Sequence, residues 1–305
     1  MIRLLLDRIV TMAITLWVVF TITFFLVRFT PGGPFMEEKP IPDAIRRTIE
    51  AKFHMHDPLW KQYSRHLWNT ACLDFGPSYK MEDYTVNEII AEGFPVSASL
   101  GIFAMVFAII LGVTSGVVSA VRRYSAYDYG FMTVAILGIA VPNFVLGSLA
   151  IILFVFILGW FPAAGWGTLQ QIILPAICLG LPFAGYIARL TRTGMLEVLN
   201  QDYIRTAYAK GLAPVNVIMK HALRGALLPV VSYLGPATAG ILSGSLVLER
   251  IFVLPGMGSH FLEGAFQRDY VLVMGMVMVY TALVFVMNSL VDLSYAIIDP
   301  RIGSR

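Results

Sequence analysis

The chain has 305 residues, is 57% hydrophobic and is only 13% charged, about half the roughly 25% of soluble globular domains. With a mean hydropathy of +0.74, this excludes an ordinary water-soluble fold. The net charge of +3 comes with no basic helix or aromatic-basic platform, so nucleic acid is not expected as a partner.

Charge-free runs locate the membrane spans, because a charge at a span centre costs about 2.5–3.5 kcal/mol on insertion scales. A helix needs about 20 residues to cross the hydrocarbon, and only helices satisfy the backbone there without a closed barrel. After a basic leader carrying Arg3 and Arg8, residues 9–28 form the first span. Its 19 charge-free residues, 9–27, exceed the roughly 7–15 of a signal-peptide apolar region. No small-x-small cleavage site follows Val27, so the span is expected to be retained.

Residues 29–95 read as an insert of soluble character. Pro31, Gly32, Gly33 and Pro34 break the helix, then 42–53 and 58–70 read as short helices, with Leu59, Tyr63, Leu67 and Trp68 as the apolar face of the second. The insert either contacts substrate or a partner, or only packs on the first span. His54, His56 and His66 lie in it without a cysteine or a clear fourth ligand, as solvated histidines do rather than a zinc site.

Five more spans follow: 96–120, 129–157, 170–188, 225–248 and 270–293. The third contains Pro142 and Asn143, and a mid-membrane proline bends a helix. Gly159–Thr168 is a turn with aromatic interface anchors at Trp160, Phe161 and Trp166. Cys72 falls in the insert and Cys178 in the fourth span, so they do not pair. Asp128 and Asp292, at span ends, are expected to pair with the Arg-rich side rather than to relay protons.

Short-loop Lys and Arg set orientation. With a cytoplasmic N-terminus the inside set is Arg3, Arg8, Arg122, Arg123, Arg189, Arg192, Arg205, Lys210, Lys220, Arg224, Arg301 and Arg305, 12 in all, against only Arg250 and Arg268 in the short outside loops; the remaining eight lie in the segment 28–92, too long and too acidic to govern topology. Both termini and residues 200–224 are therefore expected in the cytoplasm. The expected division is 1–28 for leader and first span, 29–95 for an extracytoplasmic insert, 96–299 for a five-helix core with a cytoplasmic loop at 190–224, and 300–305 for a cytoplasmic tail.

The segment 200–224 reads as two helices joined by a glycine. Asp202 is expected to cap the first, Lys210 to sit in its last turn and Gly211 to take the left-handed position beyond it. Pro214 suits the first turn of the second helix. Val215, Ile218, Met219, Ala222 and Leu223 follow i, i+3, i+4, i+7, i+8 as its apolar face.

No G-x-x-x-x-G-K-[ST] phosphate loop, G-x-S-x-G, H-E-x-x-H or C-x-x-C occurs. No catalytic constellation is evident, and no bound cofactor is expected. A capped helix, a glycine and an amphipathic strut together suit a docking surface for another protein.

At Tyr203-Ile204-Arg205-Thr206-Ala207, Ala209-Lys210-Gly211-Leu212, His221-Ala222-Leu223-Arg224 and Leu228-Pro229 the chain resembles the EAA loop of ABC importer permeases, in the peptide and nickel branch. The stretch from Glu249-Arg250-Ile251-Phe252 through Pro255, Gly256, Gly258, Ala265 and Arg268-Asp269-Tyr270 is similar to that branch's second signature. Leu73–Ser78 and Asp83–Val86 look like its oligopeptide members. Arg205 and Thr206 stand where the wider pattern has Glu and Ala.

The resemblance implies an all-α polytopic membrane protein with six transmembrane helices, an extracytoplasmic insert after the first, and a cytoplasmic coupling helix between the fourth and fifth. It implies a non-enzymatic permease subunit in the bacterial inner membrane, surrounded by lipid. Its partners would be a second homologous permease, two ATPase subunits that hold ATP and magnesium, and an extracytoplasmic peptide-binding protein. The cargo would be oligopeptides, or alternatively dipeptides, nickel or another solute. Asp202, Tyr203, Arg205, Thr206, Ala207, Lys210, Gly211 and His221 would couple to the ATPase. Glu249, Pro255, Gly256, Gly258, Arg268 and Asp269 would form the extracytoplasmic loop. An ion-coupled secondary transporter is the rival class; it would need midplane ionisable groups, which the runs lack, or discontinuous helices around a site, which the proline-broken spans weakly allow.

Overall fold

The computed structural model describes residues 2–30, 51, 53–81 and 83–298. The helix break at 31–34, nearly all of the helix expected over 42–53, and the tail 300–305 lie outside them. Among the described residues the fold is helical, with one isolated antiparallel bridge, Pro77 to Thr85. The chain divides into two compact units, Met1–Pro95 with Pro255–Phe285, and Val96–Leu254 with Val286–Arg305. Residues 255–285 thus group with the first unit rather than with 96–254.

The helices in chain order are α1 (Ile2–Phe29), α2 (Leu59–Ala71), α3 (Val86–Val121), α4 (Ala126–Ala140) and α5 (Asn143–Ala150), which continues as π-helix through Ile151–Ile157. Next come α6 (Leu169–Leu199), α7 (Asp202–Ala209) and α8 (Pro214–Ala226), whose middle, Val217–Ala222, is π-helical. The last are α9 (Leu228–Ile251), α10 (Met257–Gln267) and α11 (Tyr270–Ile298).

Among the described residues four helices are long and apolar enough to cross a membrane: Leu6–Phe29, Val86–Val121, Leu169–Leu199 and Tyr270–Leu290. Two bent pairs raise this to as many as six, Ala126–Ala140 with Asn143–Ile157 at 108° and Pro214–Ala226 with Leu228–Leu242 at 54°. The sharper bend falls where Pro142 was expected to cause one. Val141, held extended at φ −88°, ψ 126° by the ring that follows it, ends α4, and Pro142 precedes α5.

Charge counting placed several span ends short of the helix ends, two of them by about ten residues. The α3 helix begins at Val86 rather than 96, because Thr85 and Glu88 form a reciprocal capping box. The Glu88 carboxylate accepts from the Thr85 N–H at 2.8 Å, and Thr85 Oγ1 accepts from the Glu88 N–H at 3.3 Å. The α6 helix runs on past 188 to Leu199. Charges limit what hydrocarbon can hold but do not stop helical hydrogen bonding.

In the first unit α1 supplies Phe20, Phe24 and Val27 to a core completed by Tyr63 and Leu67 of α2 and Tyr270, Met274 and Met278 of α11. The Phe24 and Tyr63 rings meet edge to face at 5.3 Å, and Thr21 shares a 2.8 Å hydrogen bond with the Tyr63 hydroxyl. The predicted α2 face is half right. Leu59, in the first turn, and Trp68, about 100° round from Leu67, are 53% and 72% exposed.

In the second unit α6 is the central helix. Of its apolar window 61% is buried inside the protein, against 11% for α1. Gly180 and Gly185 let neighbouring backbone approach, since a Cβ at either would sit 2.5 Å from a carbonyl oxygen, of Ala104 and Ala135 respectively. Close approach at small residues is how helices associate where no hydrophobic driving force exists between them. Cys178 is buried and free, and Cys72 is exposed and free.

Candidate functional site: the α7–α8 surface and the Asp269 junction

The α7 helix is eight residues long and is fastened by two of them. Ile204 and Ala207, one turn apart, are buried in a cluster with Met195 of α6, Ala120 of α3 and Val217, Ala222 and Ala226 of α8. The cap position belongs to Gln201 and no side chain caps the helix. Asp202, expected as the cap, is instead the first helical residue. It still suits the positive end of the helix dipole, and its carboxylate lies 3.6 Å from Arg205 across an exposed surface.

At the other end Lys210 is the cap residue, and Gly211 follows at φ +76°. The Gly211 N–H donates to Tyr208 O at 2.9 Å and the Leu212 N–H to Ala207 O at 3.4 Å. These are the two crossed bonds of a Schellman ending. A Cβ at residue 211 would meet nothing within 4 Å, so the site selects glycine through backbone conformation alone.

Asp202, Tyr203, Arg205, Thr206, Lys210 and Gly211 are exposed on α7 and its end, and His221 is exposed on α8. Ala207 is 6% exposed, so it holds α7 to the core and is not presented to a partner. The α8 strut departs from the predicted face. Pro214 occupies the first turn as expected. The π-helical stretch then winds the chain more slowly than 3.6 residues per turn, burying Val217, Ala222 and Ala226 while Val215 and Met219 stay 69% and 55% exposed.

A buried ion pair braces the same unit. Arg192 of α6 grips Asp128 of α4 with both arms of its fork, Nε to Oδ1 at 2.8 Å and Nη2 to Oδ2 at 2.9 Å. Ser119 of α3 also donates to Asp128, and the Tyr124 N–H donates to it at 2.9 Å. With Asp128 only 3% exposed, the pair bears out the expectation for this acid and joins three helices. Asp292 lies where no side chain is described.

The second signature divides between the units. Glu249 is buried at the end of α9 in the second. In the first, Pro255 is exposed, Gly256 and Gly258 are buried at the start of α10, and Arg268 ends α10 in the left-handed region at φ +60°. Asp269, 1% exposed, is the organising group. Its Oδ1 accepts from the Leu272 N–H at 3.0 Å, capping α11, and its Oδ2 accepts from the Ser78 hydroxyl and from the N–H groups of Tyr79 at 2.9 Å and Lys80 at 3.3 Å. Two stretches quoted separately in the sequence, Leu73–Ser78 and Arg268–Tyr270, are thereby one structure.

Burial pushes the His66 imidazole from its ordinary 6.5 to about 4, with Arg28 and Arg65 adding to the effect. Burial likewise raises the Tyr79 phenol to about 12, against the pull of Arg28. Both groups are neutral at physiological pH. Among the described residues no three His, Cys, Asp or Glu side chains gather as a metal would require.

Among the described residues there are apolar helices of membrane-spanning length, two bent helix pairs, and a short exposed helix set on buried supports. The family described as the binding-protein-dependent transport system inner membrane component matches residues 108–304, and the chain belongs to it. It is 46% identical to the oligopeptide transport system permease protein OppB of Haemophilus influenzae, over 99% of each chain. It is 47% identical to the dipeptide transport system permease protein DppB of Bacillus subtilis, over 99% of this chain and 98% of that one. A solved chain of the MetNI methionine ABC transporter, in an inward-facing conformation, shares the fold at TM-score 0.53 and 19% identity, covering 67% of this chain and 95% of that one.

Proposed function

We propose that this chain is a permease subunit of an ATP-driven importer that carries oligopeptides across the bacterial inner membrane. It forms the pathway with a second homologous permease, receives cargo from an extracytoplasmic binding protein, and is driven by two separate ATPase subunits. The observation that carries the reading is the full-length likeness to chains named as oligopeptide and dipeptide permeases. In this reading six spans cross the membrane with both termini in the cytoplasm, 29–95 is extracytoplasmic, and 96–299 is the permease core.

Coupling runs through α7. Its outward side chains meet the ATPase, and its inward pair, Ile204 and Ala207, passes displacement to α6 and α8. Moving a two-state bundle from 1:99 to 99:1 takes about 5.5 kcal/mol of differential binding, so the linkage must be stiff. The buried cluster and the Asp128–Arg192 brace supply that stiffness. The test is to isolate the assembly from its native membrane and reconstitute it. ATPase subunits should accompany the chain, and peptide uptake should require ATP hydrolysis. Competition between di- and longer peptides then sets the size class, because a dipeptide permease is as similar as an oligopeptide one. Uptake driven by an ion gradient without ATPase subunits would overturn the proposal.

A further inference from the structure

Two apolar residues of the expected α8 face, Val215 and Met219, stay exposed, while Ile218 between them is partly buried against the cluster beneath α7. They line one side of an open groove of about 420 Å³, within the roughly 300–1,000 Å³ of ligand clefts. Val118 and Val121 of α3 and Phe131 of α4 form the rest of its floor. At the rim Arg122 lays its guanidinium over the Tyr127 ring at 4.7 Å. Arg123 follows it and is exposed. Among the described residues neither arginine has a carboxylate partner.

The groove sits where the chain's chemistry changes. The charge-free run 93–121 supplies the α3 part of the floor and ends at Arg122. Hydrocarbon and headgroup levels therefore meet inside one cleft, with apolar walls on one side of the boundary and unpaired cationic charge on the other. We propose that this groove binds an anionic phospholipid, one acyl chain lying on Val118, Val121, Phe131 and Met219 and the phosphate held by Arg122 and Arg123. A soluble anion would leave the apolar floor wet, and a zwitterionic lipid would leave the arginines poorly matched. Basic pockets between spanning helices take anionic headgroups for this reason. The inference rests on the chain being a membrane protein and not on its cargo.

Because α8 supplies one wall and also packs on α7, a lipid in the groove would touch the element that carries the proposed coupling surface. The test titrates the purified assembly with phosphatidylglycerol or with phosphatidylethanolamine of the same chains, and counts bound lipid by native mass spectrometry. Phosphatidylglycerol should bind preferentially. Arg122→Gln should weaken it about fivefold, and Arg122→Gln with Arg123→Gln about 25-fold, given the attraction of one basic side chain for an anionic surface. Phosphatidylethanolamine binding should scarcely change. Met219→Trp, which fills the floor and leaves both arginines, should weaken both lipids. Each variant is exposed at the changed position, so thermal unfolding should match wild type. Equal binding of the two lipids by the wild type, or a preference untouched by all three variants, overturns the proposal. So does efficient cross-linking of Met219→Cys to another protein subunit in the intact assembly.

Discussion

At Gly211 one backbone angle, φ +76°, selects the residue. Gly211→Val would force a β-branched residue into the left-handed region at a cost of roughly 1–2 kcal/mol, with no side-chain clash to blame. The expected outcome is lost uptake with near-normal membrane levels, checked by transport assay and immunoblot. Asp269 gathers bonds that no neutral side chain could replace. Asp269→Ala strips acceptors from the Ser78 hydroxyl and three backbone N–H groups. Hydrogen bonds to charged groups contribute about 1.5–3 kcal/mol each, not additively, so a drop of about 3 kcal/mol in stability is expected, read as a lowered unfolding temperature. His66 sets an acid limit. Its folded value, near 4, lies below its ordinary 6.5. Between these the unfolded chain binds more protons, so stability falls as pH is lowered through that window. Asp57, held below its ordinary 3.8 chiefly by its hydrogen bond to Arg65, adds a loss only at more acid pH. His66→Gln should flatten the decline between neutral pH and about 4, as measured by thermal unfolding across that range.

At the scale of elements, the Asp128–Arg192 brace is the joint most open to test. Arg192→Ala leaves a carboxylate that is 3% exposed without its cation. Breaking a buried pair from one side costs about 3–5 kcal/mol, and the low end is expected because the Arg192 side chain is itself 26% exposed. Asp128→Ala with Arg192→Ala should recover most of the loss, and a double-mutant cycle on unfolding temperature reads the coupling. Such elements were unevenly legible in the sequence. The bend at Pro142 and the left-handed Gly211 could be read, because a ring or a missing Cβ dictates local geometry whatever surrounds it. Asp128 could be anticipated as a partner for basic residues, though not which one. The α8 face could not: the residues obey a 3.6 period, but the helix winds as π there, and packing on α7 decides which residues are buried. The capping box at Thr85 and Glu88 was readable as a motif, yet charge counting hid it inside a supposed insert.

For the whole molecule, charge-free runs marked the apolar segments but could not see that 255–285 groups with 1–95. Within that grouping Phe20 and Phe24 pack with Tyr270 and Met274, and Asp269 reaches Ser78 across 191 positions, pairings with no local signature. The six-span reading rests on taking both bent pairs as spans. Proteoliposomes holding the permease pair without ATPase subunits should show no concentrative peptide uptake under a proton or sodium gradient, and ATPase subunits with ATP should restore it. Radiolabelled peptide counted inside the vesicles decides this.

The brevity of α7 has a consequence for engineering. Isolated helices below about 12–15 residues are marginal in water, and this one has eight. A synthetic peptide of residues 200–212 should therefore be mostly coil by circular dichroism and a poor competitor for the ATPase contact proposed for α7. Transplanting 202–209 into another permease would carry the outward side chains without the scaffold that shapes them. A graft must bring Met195, Val217 and Ala222 as well and find a small residue where Ala120 of α3 packs, so the smallest contiguous module extends from the end of α6 through α8.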